Sequence, residues 1–491
     1  MIPSNLAPIL LNKTTASPKF YILFGCLSLV CFGLSIQQES PVLSLLPLGL
    51  LGFLVLIFKP IYTNYLLLIS LPLALDVPLP GGLNTDFPSE QFLWILTPIT
   101  VILIIRHFNY DIYQFIKHPL SVLLLVSIFW LLITSIFSEI PVRSLKFFLA
   151  KLWYIIPFFY FYGIFAYKND SSWRTHLWLV LIPLTFVTFQ SIMKHWLIYA
   201  WDFHDINFAV LPYFHNHVDY AAQIALVLPT LFFLRLWYKK HTVKRFIINV
   251  CVAILLFGML TAYTRAAYLA LVMACGYYIV IHYKITKFVL VVAFIGTSIG
   301  FFYLINNKKY LDYRPSLDTV IHTDFNSLVS ATTELKDAST MERYHRWIGA
   351  IRSLPEHPIM GYGPNNFYNF YRRFTVTSFT TYISDNFDQS GVHCYFIMTA
   401  MEQGFVGLLI LLIFTAAIFI HAQRIWHETT DPRRKDVVMS AIMMLVVNYA
   451  FNLMNDFIES DELGSFYFIS IAMLVACDLK NKKESKLSES N

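Results

Sequence analysis

The sequence HCYFIMTAMEQGFVGLLILLIFTAAIFI occupies residues 393–420 and directly follows a long hydrophilic stretch, residues 306–392. Its apolar run is longer than the about 20 residues that a helix needs to cross a bilayer. One charged residue, Glu402, interrupts it. The boundary at His393 therefore predicts a membrane-spanning helix whose first residues adjoin a large polar loop.

Similar apolar runs recur along the 491 residues, of which 57% are hydrophobic and 13% are charged. This pattern predicts an all-α polytopic membrane protein with about 12–14 transmembrane helices. No small-residue cleavage site follows the first run, so we expect a retained span rather than a removed signal peptide. The third run is short and rich in proline and is open to a re-entrant interpretation. The predicted spans are residues 20–36, 42–58, 61–77, 91–105, 120–138, 147–166, 175–193, 218–237, 246–263, 266–281, 287–305, 394–420, 437–455 and 464–479.

Charge and cysteine content narrow the class further. Five of the six cysteines lie in apolar runs, so the sequence indicates no disulfide framework. The net charge of +6 bears on membrane orientation, and we expect membrane lipids as partners and no nucleic acid.

Lysine and arginine concentrate in alternate loops, which sets the predicted orientation. With the N-terminus in the cytoplasm, the polar stretch faces outward, where there is no nucleotide-sugar or ATP pool. A synthetic enzyme there needs a substrate that is already activated and delivered on a lipid, whereas a hydrolase does not. The predicted layout is a cytoplasmic tail (1–19), an N-terminal transmembrane bundle (20–305), a large periplasmic loop containing short helices (306–392), C-terminal transmembrane helices (393–479) and a basic cytoplasmic tail (480–491).

Arg265 lies at a tight outer turn between two predicted spans, next to Tyr263. An ionisable residue at membrane depth is a functional candidate. Arg265 either extends to lipid headgroups or binds a lipid-linked phosphate, for which the paired N–H donors of guanidinium are suited. Further charges fall toward the outer ends of their spans, at Lys151, Asp219, Glu402 and Asp456.

The polar stretch contains a predicted amphipathic helix. Ser339 and Glu342 have the spacing of a capping box, and apolar residues repeat at helical spacing as far as Pro355. Arg346 lies four residues after Glu342, which fits either a surface ion pair or a substrate-binding cation.

Two further features of the stretch are candidates for a functional role. The sequence HPIMGYGPNNF at residues 357–367 predicts a tight turn, whose role is structural or ligand-binding. His393 either caps the following helix or acts as a base, because a neutral imidazole can take a proton from a hydroxyl near neutral pH.

At these positions the sequence resembles the O-antigen ligase and O-antigen polymerase superfamily. The ligase pattern H-[NSQ]-x9-G-x-x-G is matched by His393, by the nine residues from Tyr395 to Gln403, and by Gly404 and Gly407. Cys394 departs from the pattern at its second position. Thr264–Ala267 is similar to that family's Ser-Arg-Gly-Ala turn, and residues 357–367 are similar to its HP-x-x-G-x-G-x-x-N-F stretch.

The resemblance implies a GT-C-like helical fold in the bacterial inner membrane. It also implies transfer of a glycan from an undecaprenyl-pyrophosphate carrier to lipid A-core or another glycan acceptor, with inversion and without a metal or cofactor. On this basis Arg265 is expected to contact pyrophosphate, Arg346 to supply a second cation, and His393 to act as base. The expected substrate-binding residues are Arg346, His215, His217, His357, Tyr263 and Glu402.

The second essential arginine of the family's ligases has no counterpart between Lys194 and His217. His215 and His217 could contact phosphate instead, or bind a metal together with Asp219, although no further ligand is identifiable. Three functions stay open: a ligase, a polymerase that joins lipid-linked repeat units, and a transporter. Transport is disfavoured because the sequence has no internal repeat and its charges gather outward rather than at the bilayer midplane. The spacing around His393 favours a ligase.

Overall fold

The computed structural model describes residues 30, 52, 56–79, 83–169, 172–202, 205–313, 338–380, 384–386 and 389–489. Its helices are α1 (Pro60–Ser70), α2 (Ser89–Arg106), α3 (Tyr110–Lys117), α4 (Pro119–Ile136), α5 (Pro141–Ile155), α6 (Tyr162–Lys168), α7 (Ser172–Leu197), α8 (Ile206–Val210), α9 (His217–Leu236), α10 (Val243–Thr261), α11 (Arg265–His282), α12 (Thr286–Ile305), α13 (Ala338–Ser353), α14 (Phe367–Phe370), α15 (Tyr395–Glu428), α16 (Pro432–Asn452) and α17 (Asp461–Glu489). Short 3-10 or π segments lie at Leu71–Leu73, Ile156–Phe161, Asn306–Tyr313, Tyr371–Phe374, Thr377–Phe379 and Phe457–Glu459.

Within the described residues, ten helical segments are long and apolar enough to cross a membrane. The prediction of an all-α polytopic membrane protein is therefore confirmed. The predicted spans 20–36 and 42–58 fall almost wholly outside the described residues.

The predicted span 61–77 is too long. Its helical part ends at Leu73, and an antiparallel hairpin of β1 (Leu75–Leu79) and β2 (Leu83–Phe87) follows. Pro78 and the Pro-Gly-Gly sequence at 80–82 explain the change, because proline breaks helices and these residues favour turns.

Three helices extend well beyond their predicted spans. Helix α5, the π segment after it and α6 form one spanning segment, which runs from Pro141 to Lys168. Helix α15 continues to Glu428, and α17 continues through most of the predicted basic tail to Glu489. Ion pairs support these charged ends: Arg424 contacts Asp478 at 2.9 Å, and Arg434 contacts Glu484 at 2.7 Å.

The core of the bundle surrounds α16. Fifteen of its 21 residues are buried, and it packs against α9, α11 and α17. Helix α12 has no buried residue in its spanning window, as expected for a helix that faces lipid. Because α16 begins four residues after α15 ends and packs back against it, the turn after α16 reaches the same end of the bundle as the start of α15.

Candidate functional site

His393 lies in the short segment that leads from the polar loop into α15. Its φ of 58° is in the left-handed region, which non-glycine residues adopt uncommonly. The His393 backbone N–H donates to Asp456 Oδ2 at 3.1 Å. A Cβ on Gly391 would lie only 2.5 Å from the same carboxylate oxygen, so glycine permits this close approach. Asp456 therefore fixes the backbone on which His393 is presented.

Helix α13 holds the same segment from its other side. The Arg346 guanidinium donates to Ser390 Oγ at 2.6 Å and to the Gly391 carbonyl at 3.0 Å. The Trp347 indole N–H donates to the His393 carbonyl at 3.4 Å. Two consecutive residues of α13 thus hold the chain segment at residues 390–393 through hydrogen bonds.

The ion pair between Arg346 and Glu342 is present, with Nε 2.8 Å from Oε1, but it is not on the surface. Each side chain is only 5% exposed, and Glu342 also accepts a hydrogen bond from Ser384 at 2.7 Å. The residues before Ala338 lie outside the described ranges, so the predicted capping box of Ser339 and Glu342 stays a prediction. The described contacts of the Glu342 carboxylate are with Arg346 and Ser384.

The surroundings of His393 determine its protonation state. Burial, followed by the positive charges of Arg346 and Arg343, lowers the pKa of His393 to about 3, and a side-chain contact with Asn455 acts the other way. The imidazole is therefore neutral near pH 7. Burial raises the pKa of Asp456 to about 7, even though the backbone N–H groups of His393 and Cys394 favour its charged form.

Two buried polar atoms beside His393 lack hydrogen-bond partners within the described part of the chain. They are Asn455 Nδ2, a donor, and Asp456 Oδ1, an acceptor. Buried polar groups are normally paired, so these atoms suit a ligand's hydroxyl or a water. Neither residue was expected at the site, although Asp456 was noted as a charge at the end of a span. Asp456 follows His393 by 63 residues, so no local motif connects the two.

The turn at residues 357–367 docks against a kink in α15. Gly404 has a φ of 70°, and a Cβ there would lie 2.0 Å from the Ile359 carbonyl oxygen. Across the same junction, the Gly363 N–H donates to the Glu402 carbonyl at 2.9 Å, and the Phe405 N–H donates to the Pro358 carbonyl at 2.8 Å. The glycines of two motifs that are separate in sequence therefore form one structural joint.

Glu402 serves this joint. Its side chain is only 3% exposed, and Oε1 accepts the Phe367 N–H at 3.2 Å. The Asn365 backbone N–H is a second donor to the carboxylate. The structure thus gives Glu402 a scaffold position rather than the substrate-facing position that the sequence suggested.

Asn366 connects the turn to the loop between α4 and α5. Its Nδ2 donates to Ser138 Oγ at 2.7 Å and to the Tyr362 carbonyl at 2.9 Å. His357 lies at the edge of the turn, where Nε2 is 3.4 Å from Glu139 Oε1. The turn is therefore anchored on two sides, with His357 partly exposed.

Arg265 begins α11 after a tight turn from α10. Tyr263 has a φ of 51°, and Thr264 Oγ1 donates to the Ala262 carbonyl at 3.0 Å and to the His217 carbonyl at 3.3 Å. The predicted residues Arg265, Tyr263 and His217 are therefore brought together at the start of α9 and α11.

His215 and His217 flank a helix cap. Asn216 Oδ1 accepts the N–H groups of Val218 and Asp219, at 2.8 and 3.0 Å, and so caps α9. The His217 ring Nδ1 is 2.8 Å from Asn207 Oδ1. Within the described ranges, His215, His217 and Asp219 do not form a group with metal-binding spacing.

A different group has such spacing: Asp86, Asp461 and Glu462 each offer one carboxylate oxygen, and these three oxygens lie within 4.8 Å of one another. Ser89 Oγ donates to Asp461 at 2.5 Å. Burial and the neighbouring carboxylates raise the pKa of Asp86 to about 8. By geometry these three residues could hold a cation.

Helix packing places Arg265 and Asp456 at the same end of the bundle. His427, near the end of α15, contacts the Ile281 carbonyl near the end of α11 at 2.9 Å. Helix α16 starts four residues after α15 ends and packs along α11. Helices α16 and α11 therefore run in opposite directions. The start of α11 therefore lies beside the end of α16. We call this the His393 end of the bundle.

Comparison with known proteins agrees with the motif resemblance. The family model described as "Wzy_C: O-Antigen ligase" matches residues 250–412, about a third of the chain. The matched segment runs from α10 into α15 and contains Arg265, Arg346 and His393. No curated protein matches the chain. Residues 250–412 of this multi-pass membrane protein are therefore similar to the O-antigen ligase family.

Proposed function

We propose that the protein transfers a glycan from undecaprenyl pyrophosphate to a hydroxyl of lipid A-core, at the periplasmic face of the bacterial inner membrane. The observation that carries this proposal is the neutral imidazole of His393, a residue whose backbone N–H and carbonyl contact Asp456 and Trp347, at the bundle end where Arg265 begins α11. A neutral base and a permanent cation are the two groups that this reaction requires.

In the proposed step, the acceptor oxygen attacks the anomeric carbon of the donor sugar. The new glycosidic bond forms as the bond to pyrophosphate breaks, which inverts the anomeric centre. The acceptor proton passes to the imidazole of His393. Arg265 balances the negative charge that develops on the departing pyrophosphate, and the step requires no metal or cofactor.

The low pKa of His393 in the substrate-free protein makes the imidazole a weak base there. A bound pyrophosphate would place negative charge nearby and raise that pKa, because an adjacent anion favours the protonated form. The base would thus become stronger when the donor is bound. Arg346 acts in this proposal mainly by holding residues 390 and 391, with a secondary effect on the donor's charge.

The remaining predicted residues divide by position. His215, His217 and Tyr263 lie around the Arg265 turn, and we propose that they contact the lipid-linked donor. His357 lies at the docked turn, where we propose a contact with the acceptor. Glu402 supports that turn and has no proposed substrate contact.

A polymerase that joins lipid-linked repeat units is the second candidate. Lys194 is the last lysine or arginine in the sequence before His217, but its Nζ donates to the carbonyls of Phe208 and Leu211, at 2.6 and 3.0 Å. It therefore fastens that loop rather than replacing the second arginine of the family's ligases. A different donor or acceptor would explain this departure.

Deleting the gene and separating the envelope glycans on a gel distinguishes the two candidates. Long chains that stay on the lipid carrier support the ligase. Single repeat units on the carrier support the polymerase, and unchanged glycans would contradict both.

A further inference from the structure

A cavity of about 530 Å³ lies at the end of the bundle opposite His393. It is open on one side and is lined by the first turns of α7 and α16 and by α17 near Lys480. Helix α15 has 34 residues between His393 and this end, which corresponds to about 50 Å at the helical rise. The cavity is therefore separated from the candidate active site by the thickness of a membrane.

Positive charge dominates the cavity wall. Arg174, Arg433, Arg434 and Lys480 line it together with one carboxylate, Asp431. Asp431 caps α16 by accepting the Arg433 backbone N–H at 3.0 Å, and Arg434 is paired with Glu484 outside the lining. Among the described lining residues, basic side chains therefore outnumber acidic ones by four to one.

The cavity also contains a buried donor without an acceptor. Trp173 lines the wall and is only 2% exposed, and its indole N–H has no hydrogen-bond partner within the described residues. A buried indole N–H normally finds a partner. Trp173 therefore brings an unpaired donor close to several cations.

We propose that this cavity binds the phosphate of an anionic phospholipid headgroup. Phosphate oxygens would accept from Trp173 and pair with Arg174 and Arg433, because guanidinium groups bind phosphate through paired donors. Val437 and Met473 provide apolar wall for the glycerol and upper acyl chain, which a free phosphate ion lacks. Basic pockets between helices at the cytoplasmic side of a membrane commonly bind such lipids.

The test uses the full-length protein in neutral detergent, with lipid binding measured by native mass spectrometry. Phosphatidylglycerol, phosphatidylcholine and inorganic phosphate are the three probes. The Arg174→Gln/Arg433→Gln variant is expected to bind phosphatidylglycerol roughly 10- to 30-fold more weakly, from about 1 kcal/mol per basic residue. The control variant Arg106→Gln/Lys287→Gln removes two exposed cations from the same end, outside the cavity, and should bind as the wild type does.

Equal loss in both double variants would overturn the proposal, since general surface charge would then explain binding. Equal affinity for phosphatidylcholine, or displacement of the lipid by millimolar inorganic phosphate, would also overturn it. If the double variant does not fold, Trp173→Phe keeps an aromatic side chain at this position but removes the indole N–H donor. That variant should weaken phosphatidylglycerol binding severalfold, and unchanged binding would contradict the proposed site.

Discussion

The backbone N–H of His393 donates to Asp456 Oδ2 at 3.1 Å, which joins the start of α15 to the turn that follows α16. The contact closes the His393 end of the bundle across two helices. It also makes the protonation state of one acidic residue part of the environment of the candidate base.

The pH dependence of stability should reveal the raised pKa of Asp456. Its pKa is raised to about 7 in the folded protein, whereas an unfolded aspartate has a pKa near 4. The folded state therefore binds the proton more tightly, and the stabilisation from this group is full below about pH 4 and is lost as the pH rises through 7. Between pH 5 and pH 8, we expect the melting temperature of the Asp456→Asn variant to fall less than that of the wild type. Parallel declines of the two proteins in thermal unfolding experiments would contradict this.

Gly404→Ala should destabilise the joint between α15 and the docked turn. An added Cβ would lie 2.0 Å from the Ile359 carbonyl oxygen, and the φ of 70° is unfavourable for alanine. The expected cost is about 2 kcal/mol or more, seen as a lower melting temperature.

Gly276→Ala is the matched control, because nothing lies within 4 Å of a Cβ built at this helical glycine. It should leave stability unchanged or raise it by up to about 1 kcal/mol. Equal effects of the two substitutions would show that the close approach at Gly404 is not what matters.

Lys151 fastens the turn that carries Asp456. Its Nζ is 2.8 Å from Glu459 Oε2 and donates to the Ile458 carbonyl at 3.3 Å. Lys151 is largely buried, so Lys151→Met leaves Glu459 without its cation and should cost about 3 kcal/mol or more. The double variant Lys151→Met/Glu459→Gln should recover part of that loss in the same melting experiment.

An exposed pair provides the comparison. Arg373 and Glu356 are 2.7 Å apart, but both side chains are about half exposed, so Arg373→Met should lower the melting temperature less than Lys151→Met does. A larger cost for Arg373→Met than for Lys151→Met would rule out burial as the source of the difference.

Hydropathy predicted the spans well where the helix and the apolar run end together. It failed for α15 and α17 because those helices continue beyond the apolar region, where contacts such as Arg424 with Asp478 support charged turns. It also failed at residues 75–87, where proline and glycine convert an apolar run into a hairpin. Both failures arise because hydropathy measures transfer into lipid and does not measure helix continuity.

The candidate site was predictable only in part. Spacing identified His393, Gly404 and Arg265, but it could not show that Gly404 packs on the turn at Ile359. The contact with Asp456 bridges two helices and has no local sequence pattern. Glu402 was placed at the substrate because a charge in a spanning helix suggests function, whereas its oxygen accepts a backbone N–H.

Glycan transfer by Arg265→Ala and His393→Ala variants tests the proposed chemistry most directly. The assay follows movement of a glycan from its undecaprenyl-pyrophosphate carrier to lipid A-core, with each variant at wild-type abundance in the membrane. Loss of the base should lower the rate about 10²- to 10⁴-fold, and loss of the cation should have an effect of similar size. Near wild-type transfer by both variants would contradict the proposed roles of Arg265 and His393.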